Sequence, residues 1–317
     1  MYNCQEPETD EAAIAEAAMP AFRLSGGSLY LLQQLVNTSF RVEHAHRNWY
    51  LRVYNLHRRS GIEIQSELLW LESLAEANIA VPTPRRTVEN RLLWHSPRGS
   101  DRAAHWVSVT AWLPGRIIPG DERSSRHYKA VGRLLAEVHE HASRWHIPAD
   151  FARPSCDADG VYSKLDELTL YKPELHETQL WIELATARDA LLVAESTIGR
   201  TRNRFGLVHG DPSFGNILFK DEKPLLIDFD DCGYGFYVSD LAVVLAGAWG
   251  KAGYEQNRTA LIEGYQAVRP LAQAELVALP LMMAARAASL ILWAVETSRN
   301  SWVTGQWQRL QEYLAIR

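Results

Sequence analysis

Apolar and polar residues alternate along the first third of the chain, a pattern that predicts strands. Three β-rich runs, Leu29–Leu35, Ser39–His44 and Trp49–Tyr54, are separated by turns at Asn37-Thr38 and at His46–Asn48. An Ala-rich stretch at 9–21 with acidic flanks predicts a short helix before them, ended by Ser25-Gly26-Gly27. After them, Ile62, Leu69, Leu71 and Leu74 fall near helical spacing among good helix formers. Ile62–Ala77 therefore reads as a helix, stopped by Val81-Pro82-Thr83-Pro84. Two further strands, Arg91–His95 and Ala104–Ala111, follow, the second running into Trp112-Leu113-Pro114-Gly115.

From Asp121 the texture becomes helical: Ser125–Ala142, Glu174–Gly199, and three or four more helices from Ser239 to the end, Leu281–Thr297 among them. One β-rich interruption, Gly206–Asp231, gathers the polar residues. This order predicts an α+β fold of two lobes: a small antiparallel β-sheet lobe with one helix over 1–114, and a larger, mainly helical lobe over 115–317. No internal repeat or low-complexity tract interrupts it.

With 47% hydrophobic and 22% charged residues, the chain reads as globular rather than disordered. A net charge of −5 gives no overall attraction to nucleic acid or to anionic lipid. Cys4, Cys156 and Cys232 have neither the even number of a disulfide framework nor the paired spacing of a zinc site. The acidic start lacks a signal pattern, and no later stretch is read as approaching the roughly 18 apolar residues of a membrane span. A soluble cytoplasmic protein, monomer or homodimer, without nucleic-acid or membrane partners, is the expectation.

The candidate chemistry lies in Leu207–Phe219, where His209, Asp211 and Asn216 stand at H-x-D-x-x-x-x-N spacing, and in Pro224-Leu225-Leu226-Ile227-Asp228-Phe229-Asp230. Phosphoryl transfer needs a carboxylate near the acceptor hydroxyl and ligands for the Mg²⁺ that neutralises a triphosphate. Asp211, Asn216 and Asp228 suit those tasks. The flanking apolar runs read as a hairpin turning at Lys220–Lys223, which would bring Asn216 and Asp228 together.

These residues resemble the aminoglycoside phosphotransferase and choline kinase superfamily, relatives of the protein kinases. The resemblance runs from about Leu24 to Trp293 and is strongest where HGDPSFGNILF, LLIDFDD and YVSDLAVVL follow one another. Asn37–Val42 and Tyr50–Val53 look like the branch containing type II homoserine kinases and the bacterial stress-response kinase. It implies a protein-kinase-like fold, with ATP, or GTP, and Mg²⁺ as cofactors. Asp211 would be the catalytic base or hydroxyl-orienting carboxylate, Asn216 and Asp228 the Mg²⁺ holders. His209 would shape the loop, and Asp240 would cap backbone amides beneath it. In the first lobe, Arg52 stands where most relatives carry a phosphate-binding lysine, with Glu67 as its ion-pair partner. An arginine clamps phosphates with a different geometry. Asn37, Thr38 and Ser39 replace a glycine-rich phosphate loop. The strand ending at Thr110 resembles the interlobe hinge, so adenine would bind backbone at Ala111 and Leu113, with Thr110 at the rear.

For the acceptor, Asp230 and Asp231 would face the mouth of the site and take an ammonium group. Arg286, Trp293 and Glu296, seven and three apart on one helical face, would read the carboxylate and amine of an amino acid such as homoserine. His44, His46, His57, His105, His127, His139 and His141 read as surface or helix-end positions rather than a zinc site. Most of the 11 tryptophans read as core, with an aromatic cage for a quaternary ammonium as the alternative. The expected activity is transfer of the γ-phosphoryl of ATP to a hydroxyl of a small molecule: an amino alcohol, an amino sugar or a related metabolite. A protein Ser/Thr kinase of the stress-response type and a nucleotide-binding pseudokinase are the alternatives.

Overall fold

The computed structural model describes residues 10–54, 58–96, 105–171, 178–299 and 301–316. Cys4, His57 and the expected element starts at Ala104 and Glu174 lie outside them. Two compact units divide the chain: Met1–Pro114 with Ile147–Ala152, and Gly115–His146 with Arg153–Arg317.

The first unit holds β1 (Ser28–Gln34), β2 (Thr38–His44), β3 (Arg47–Val53), β4 (Trp94–His95) and β5 (Trp106–Ala111). They form one antiparallel sheet in the order β1-β2-β3-β5-β4. Phe40 sits opposite Leu51, and Leu51 opposite Val109. The two-residue repeat of a strand then turns Phe40, Val42, Leu51, Val53, Val107 and Val109 to one buried face. Helix α1 (Asp10–Ala18) covers that face with Ala12, Ala15 and Ala18, three apart, and the following 3₁₀ turn adds Met19 and Phe22. Burying each of the larger side chains contributes about 1.5–3 kcal/mol. The same alternation lines up Ser39, Arg52 and Ser108 across three strands on the opposite face.

Helix α2 (Gly61–Glu76) starts at a capping box: Ser60 Oγ accepts from Glu63 N, and Ser60 N donates to Glu63 Oε2 at 2.9 Å. Its buried stripe is Ile64, Glu67, Leu68, Leu71 and Leu74, with Ser66 and Trp70 beside it. Ile62, one of the apolar residues whose spacing suggested this helix, is 47% exposed. The helical period closes only when Glu67 is counted as buried, so an apolar-only search takes the wrong phase.

The second unit is mainly helical: α3 (Ser125–Arg144), α4 (Ala158–Tyr171), α5 (Gln179–Ile198), α6 (Tyr237–Ala246), α7 (Tyr254–Gln266), α8 (Gln273–Glu296) and α9 (Ser301–Leu314). No helix was expected at α4. Its first turn is held by distant groups, since Glu195 Oε1 accepts from Ala158 N at 2.8 Å and Asp157 Oδ1 from Gly160 N at 3.1 Å. Helix α8 runs through Pro280, whereas the sequence suggested a start at Leu281. Burial of Leu279, Met282, Met283, Ile291 and Leu292 outweighs the backbone bond that the proline removes. Against the expectation of no span-like stretch, α8 is long and apolar enough to cross a membrane by length and composition. Its apolar window has a mean hydropathy of 1.8 and is 56% buried within the protein.

Two small sheets interrupt these helices. One pairs β6 (Arg116–Ile117) with the hairpin of β8 (Ile217–Lys220) and β9 (Lys223–Leu226). The other pairs β7 (Phe205–Val208) with β10 (Gly233–Phe236).

Candidate active site

Two loops of the second unit carry the polar residues, and the small sheets fix both ends of each. The loop 209–216 leaves β7 and enters β8, while 227–232 leaves β9 and enters β10. Val208 opposes Gly233 at one end. At the other, Ile217 opposes Leu226 and Ile227 N donates to Asn216 O at 3.0 Å. Asn216 and Asp228 therefore flank the open end of one hairpin. The loops touch backbone to backbone: a Cβ on Gly210, whose φ is +85°, would lie 2.3 Å from Asp231 O.

Asp240, in the first turn of α6, is wholly buried and holds the first loop. Its Oδ2 accepts from His209 N at 2.8 Å and from His139 Nε2 at 3.0 Å, and its Oδ1 from Gly210 N at 2.9 Å. Burial pushes this carboxyl up, but the hydrogen bonds it accepts from the His139 side chain and the His209 amide outweigh it and hold it below the usual carboxylate range. Burial likewise lowers His139, whose Nδ1 faces Tyr265 Oη at 3.0 Å. A neutral imidazole donating to an ionised carboxylate satisfies both. His209 is also buried: its Nδ1 accepts from Asp211 N at 3.3 Å, which leaves Nε2 to donate to Ile227 O at 3.0 Å. One imidazole thus ties the two loops together.

Asp211 is half-buried at the end of this scaffold, and Arg286 of α8 reaches it, Nη2 standing 2.7 Å from Oδ1. The contact is an ion pair set off the hydrogen-bonding angle, so Oδ1 accepts no aligned hydrogen bond among the described residues. Asn216 Nδ2 donates to Asp211 O at 3.0 Å, which turns the amide oxygen outward. A carboxylate and an amide oxygen suit Mg²⁺, which binds through one or two carboxylates with substrate phosphates completing its shell. Among the described residues no three His, Cys, Asp or Glu gather as a metal centre. Asp228 has a left-handed backbone, φ 63°, which costs an L-residue on the order of 1–2 kcal/mol and must be imposed by its surroundings.

In the first unit Arg52 and Glu67 are buried, with Arg52 Nη1 3.9 Å from Glu67 Oε1 and Arg52 Nη2 donating to Tyr50 Oη at 3.3 Å. Ser39 Oγ lies 2.6 Å from Tyr50 Oη, and Ser39 and Thr38 are both buried. Any phosphate contact from Ser39 would therefore fall to its backbone; Asn37 is half-buried beside it. Thr110 is buried, Ala111 N is taken by Thr83 O at 2.8 Å, and Leu113 N makes no hydrogen bond among the described residues.

The expected acceptor residues separate. Glu296 is exposed and pairs with Lys164 of α4, and Trp293 packs edge-on to Trp302 with Arg299 over its face. Ten helical positions from Arg286 amount to about 15 Å, so Arg286 and Glu296 do not clasp one small acceptor together. Asp230 is buried rather than facing outward, while Asp231 is half-buried. Among the histidines read as surface or helix-end, His139 and His127 are buried.

Sequence reasoning missed two residues. The partner of His139 lies 101 positions away, and no local pattern marks it. Arg153 is buried against the second loop, donating from Nε to Cys232 O at 2.8 Å and from Nη2 to Asp230 O at 2.6 Å and Phe229 O at 3.4 Å.

Residues 32–275 match the family described as Phosphotransferase enzyme family, APH. Stress response kinase A of Salmonella paratyphi A is 32% identical over 278 residues, covering 83% of this chain and 78% of that protein. The solved structure of a microcompartment-associated aminopropanol kinase aligns over 96% of this chain and 97% of its own, with a TM-score of 0.77 and 25% identity. Amicoumacin kinase hAmiN, solved in complex with AMP-PNP, Ca²⁺ and Ami, aligns over 96% and 94% with a TM-score of 0.81; at 16% identity the likeness is one of fold.

Proposed function

Because the chain belongs to the APH phosphotransferase enzyme family, and is thereby an ATP-dependent kinase acting on an alcohol group, we propose that its acceptor is a small amino alcohol bearing a carboxylate, homoserine-like in chemistry. The observation that carries this proposal is Arg286 beside Asp211: a permanent cation 2.7 Å from the carboxylate that orients the acceptor. Among the described residues Asp211 is the only protein partner of that guanidinium, leaving donors for a carboxylate on the acceptor.

Asp211 orients the acceptor hydroxyl and receives its proton as the new O–P bond forms and the bond from Pγ to the ADP oxygen breaks. Asn216 and Asp228 would hold Mg²⁺, whose charge neutralises the triphosphate. Arg52, kept in place by Glu67 and Tyr50, clamps the nucleotide phosphates, beside the backbone of Asn37, Thr38 and Ser39. Leu113 N and the Ala111 carbonyl take the adenine, with Thr110 behind. Asp231, half-buried on the same loop, favours an ammonium group on the acceptor.

Kinetics of Asp211→Ala and Arg286→Met with homoserine and with 3-aminopropan-1-ol, which lacks the carboxylate, test this assignment. Asp211→Ala is expected to lose about 10²–10⁴-fold in kcat on either acceptor while keeping nucleotide affinity. Arg286→Met is expected to raise KM for homoserine about 30-fold, the loss of roughly 2 kcal/mol of charge-assisted hydrogen bonding, and to spare the amino alcohol. Equal effects on both acceptors would refute carboxylate recognition by Arg286. The 32% identity to a stress response kinase favours one second reading, a protein Ser/Thr acceptor. Faster phosphate incorporation into a generic protein than into either metabolite supports it.

A further inference from the structure

The loop from Asp228 to Cys232 has no ladder of its own: β9 ends at Leu226 and β10 begins at Gly233. Phe229 O accepts from Cys232 N at 2.9 Å, closing a turn, and the carbonyls of Asp230 and Cys232 belong to buried residues, where an acceptor needs a donor. Arg153 reaches all three from one guanidinium, as the distances above describe, and is itself buried.

Arg153 is held as firmly as the loop. The strap 153–156 runs beside 229–234: Tyr234 N donates to Pro154 O at 2.8 Å, Cys156 N to Tyr234 O at 2.7 Å, and Ser155 bridges Tyr234 in parallel. A Cβ on Gly233 would lie 2.3 Å from Pro154 O, so strap and loop meet at backbone distance. Three aspartates, Asp228, Asp230 and Asp231, belong to the same short loop. A guanidinium suits this place better than an ammonium. Its planar fork spans several fixed acceptors at once, and its permanent charge offsets neighbouring carboxylates.

We propose that Arg153 is a positioning residue for the metal-holding loop, fixing the backbone of Asp228–Cys232 so that the Asp228 carboxylate stands with Asn216. The role rests on Asp228 holding the metal, as proposed above. Arg153 acts through the loop backbone and keeps Asp228 in its left-handed conformation. Losing the fork would let the loop relax and lower affinity for the cation before affinity for the nucleotide.

The test is Mn²⁺ binding to the full chain with AMP-PNP, followed by electron paramagnetic resonance, for wild type, Arg153→Lys, Arg153→Gln and Asp228→Ala, with circular dichroism and steady-state kinetics alongside. Arg153→Lys is expected to fold, to bind Mn²⁺ at least tenfold more weakly, to keep metal-free nucleotide affinity within twofold, and to regain kcat as Mn²⁺ is raised. Arg153→Gln is expected to be weaker still in Mn²⁺ binding; if it is insoluble, Arg153→Lys decides. Wild-type Mn²⁺ affinity in a folded Arg153→Lys overturns the proposal, as does a kcat loss that added Mn²⁺ fails to restore. An Arg153→Lys protein that does not fold overturns it too, since the side chain then serves the fold as a whole. Asp228→Ala separates the two levels. If it binds Mn²⁺ like wild type, the metal assignment fails; if it loses Mn²⁺ while Arg153→Lys does not, only the role of Arg153 fails.

Discussion

Asp240→Asn changes a charge without changing a shape, which makes it a sharp probe of how the catalytic loop is held. The carboxylate receives three hydrogen bonds, two at Oδ2 and one at Oδ1. An asparagine has a single oxygen. Placed where two donors converge, that oxygen keeps His209 N and His139 Nε2, and the new NH₂ then faces Gly210 N, donor against donor. One hydrogen bond to a charged group is lost, worth about 1.5–3 kcal/mol, and the other two fall to neutral strength. The expected loss in unfolding free energy is about 2–4 kcal/mol, a large share of a typical total of about 5–15 kcal/mol. Amide hydrogen exchange should report it locally, with Gly210 losing protection before His209, and kcat should fall as Asp211 loses its support. The pH profile adds a check. Asp240 is held below its usual 3.8, so its stabilisation is complete above that value and is lost as pH falls through the folded one. His139 is held below 6.5, so the unfolded state takes up its proton first and stability also falls on acidification below about 6.5. Asp240→Asn should flatten only the carboxylate part. A loss under about 1 kcal/mol with Gly210 exchange unchanged would refute the capping role.

Glu195 is pushed up from 4.5 to about 7, chiefly by burial, with the Ala158 amide and Arg200 pulling the other way. Its contribution is therefore most favourable at low pH and declines as pH rises through about 7. Glu195→Gln should gain about 1–3 kcal/mol relative to wild type between pH 5 and pH 8, read by urea unfolding at both; a constant difference would discard the assignment. Gly210→Ala should cost at least ~2 kcal/mol and reduce kcat, because a Cβ meets Asp231 O and the backbone is left-handed. Gly247→Ala, whose Cβ finds ordinary 3.5 Å contacts, is the control; equal effects from the two would show that the close approach is not what matters.

Much of the fold was legible because it rests on short-range periodicity. Alternation in β2, β3 and β5 and the H-x-D-x-x-x-x-N spacing depend only on neighbours along the chain, and the hairpin that joins Asn216 to Asp228 closes over a turn of a few residues. The failures share a cause: each depended on a partner far away in sequence. Helix α4 needs Glu195, and α8 keeps Pro280 because its flanks are buried; the pairing of Glu67 with Arg52, by contrast, was anticipated from the family resemblance. At the site, the residue types proposed to handle phosphate and metal were plain from the sequence, since chemistry selects them one by one. Which side chains hold them could not be, because Arg286 reaches Asp211 from 75 positions along the chain, Arg153 reaches Cys232 across 79, and His139 reaches Asp240 across 101. Local sequence determined which groups are present and the strands that carry them. Tertiary packing alone decided which cation stands beside the Asp211 carboxylate, because a charge acts over the few ångströms that folding sets, whatever its distance along the chain.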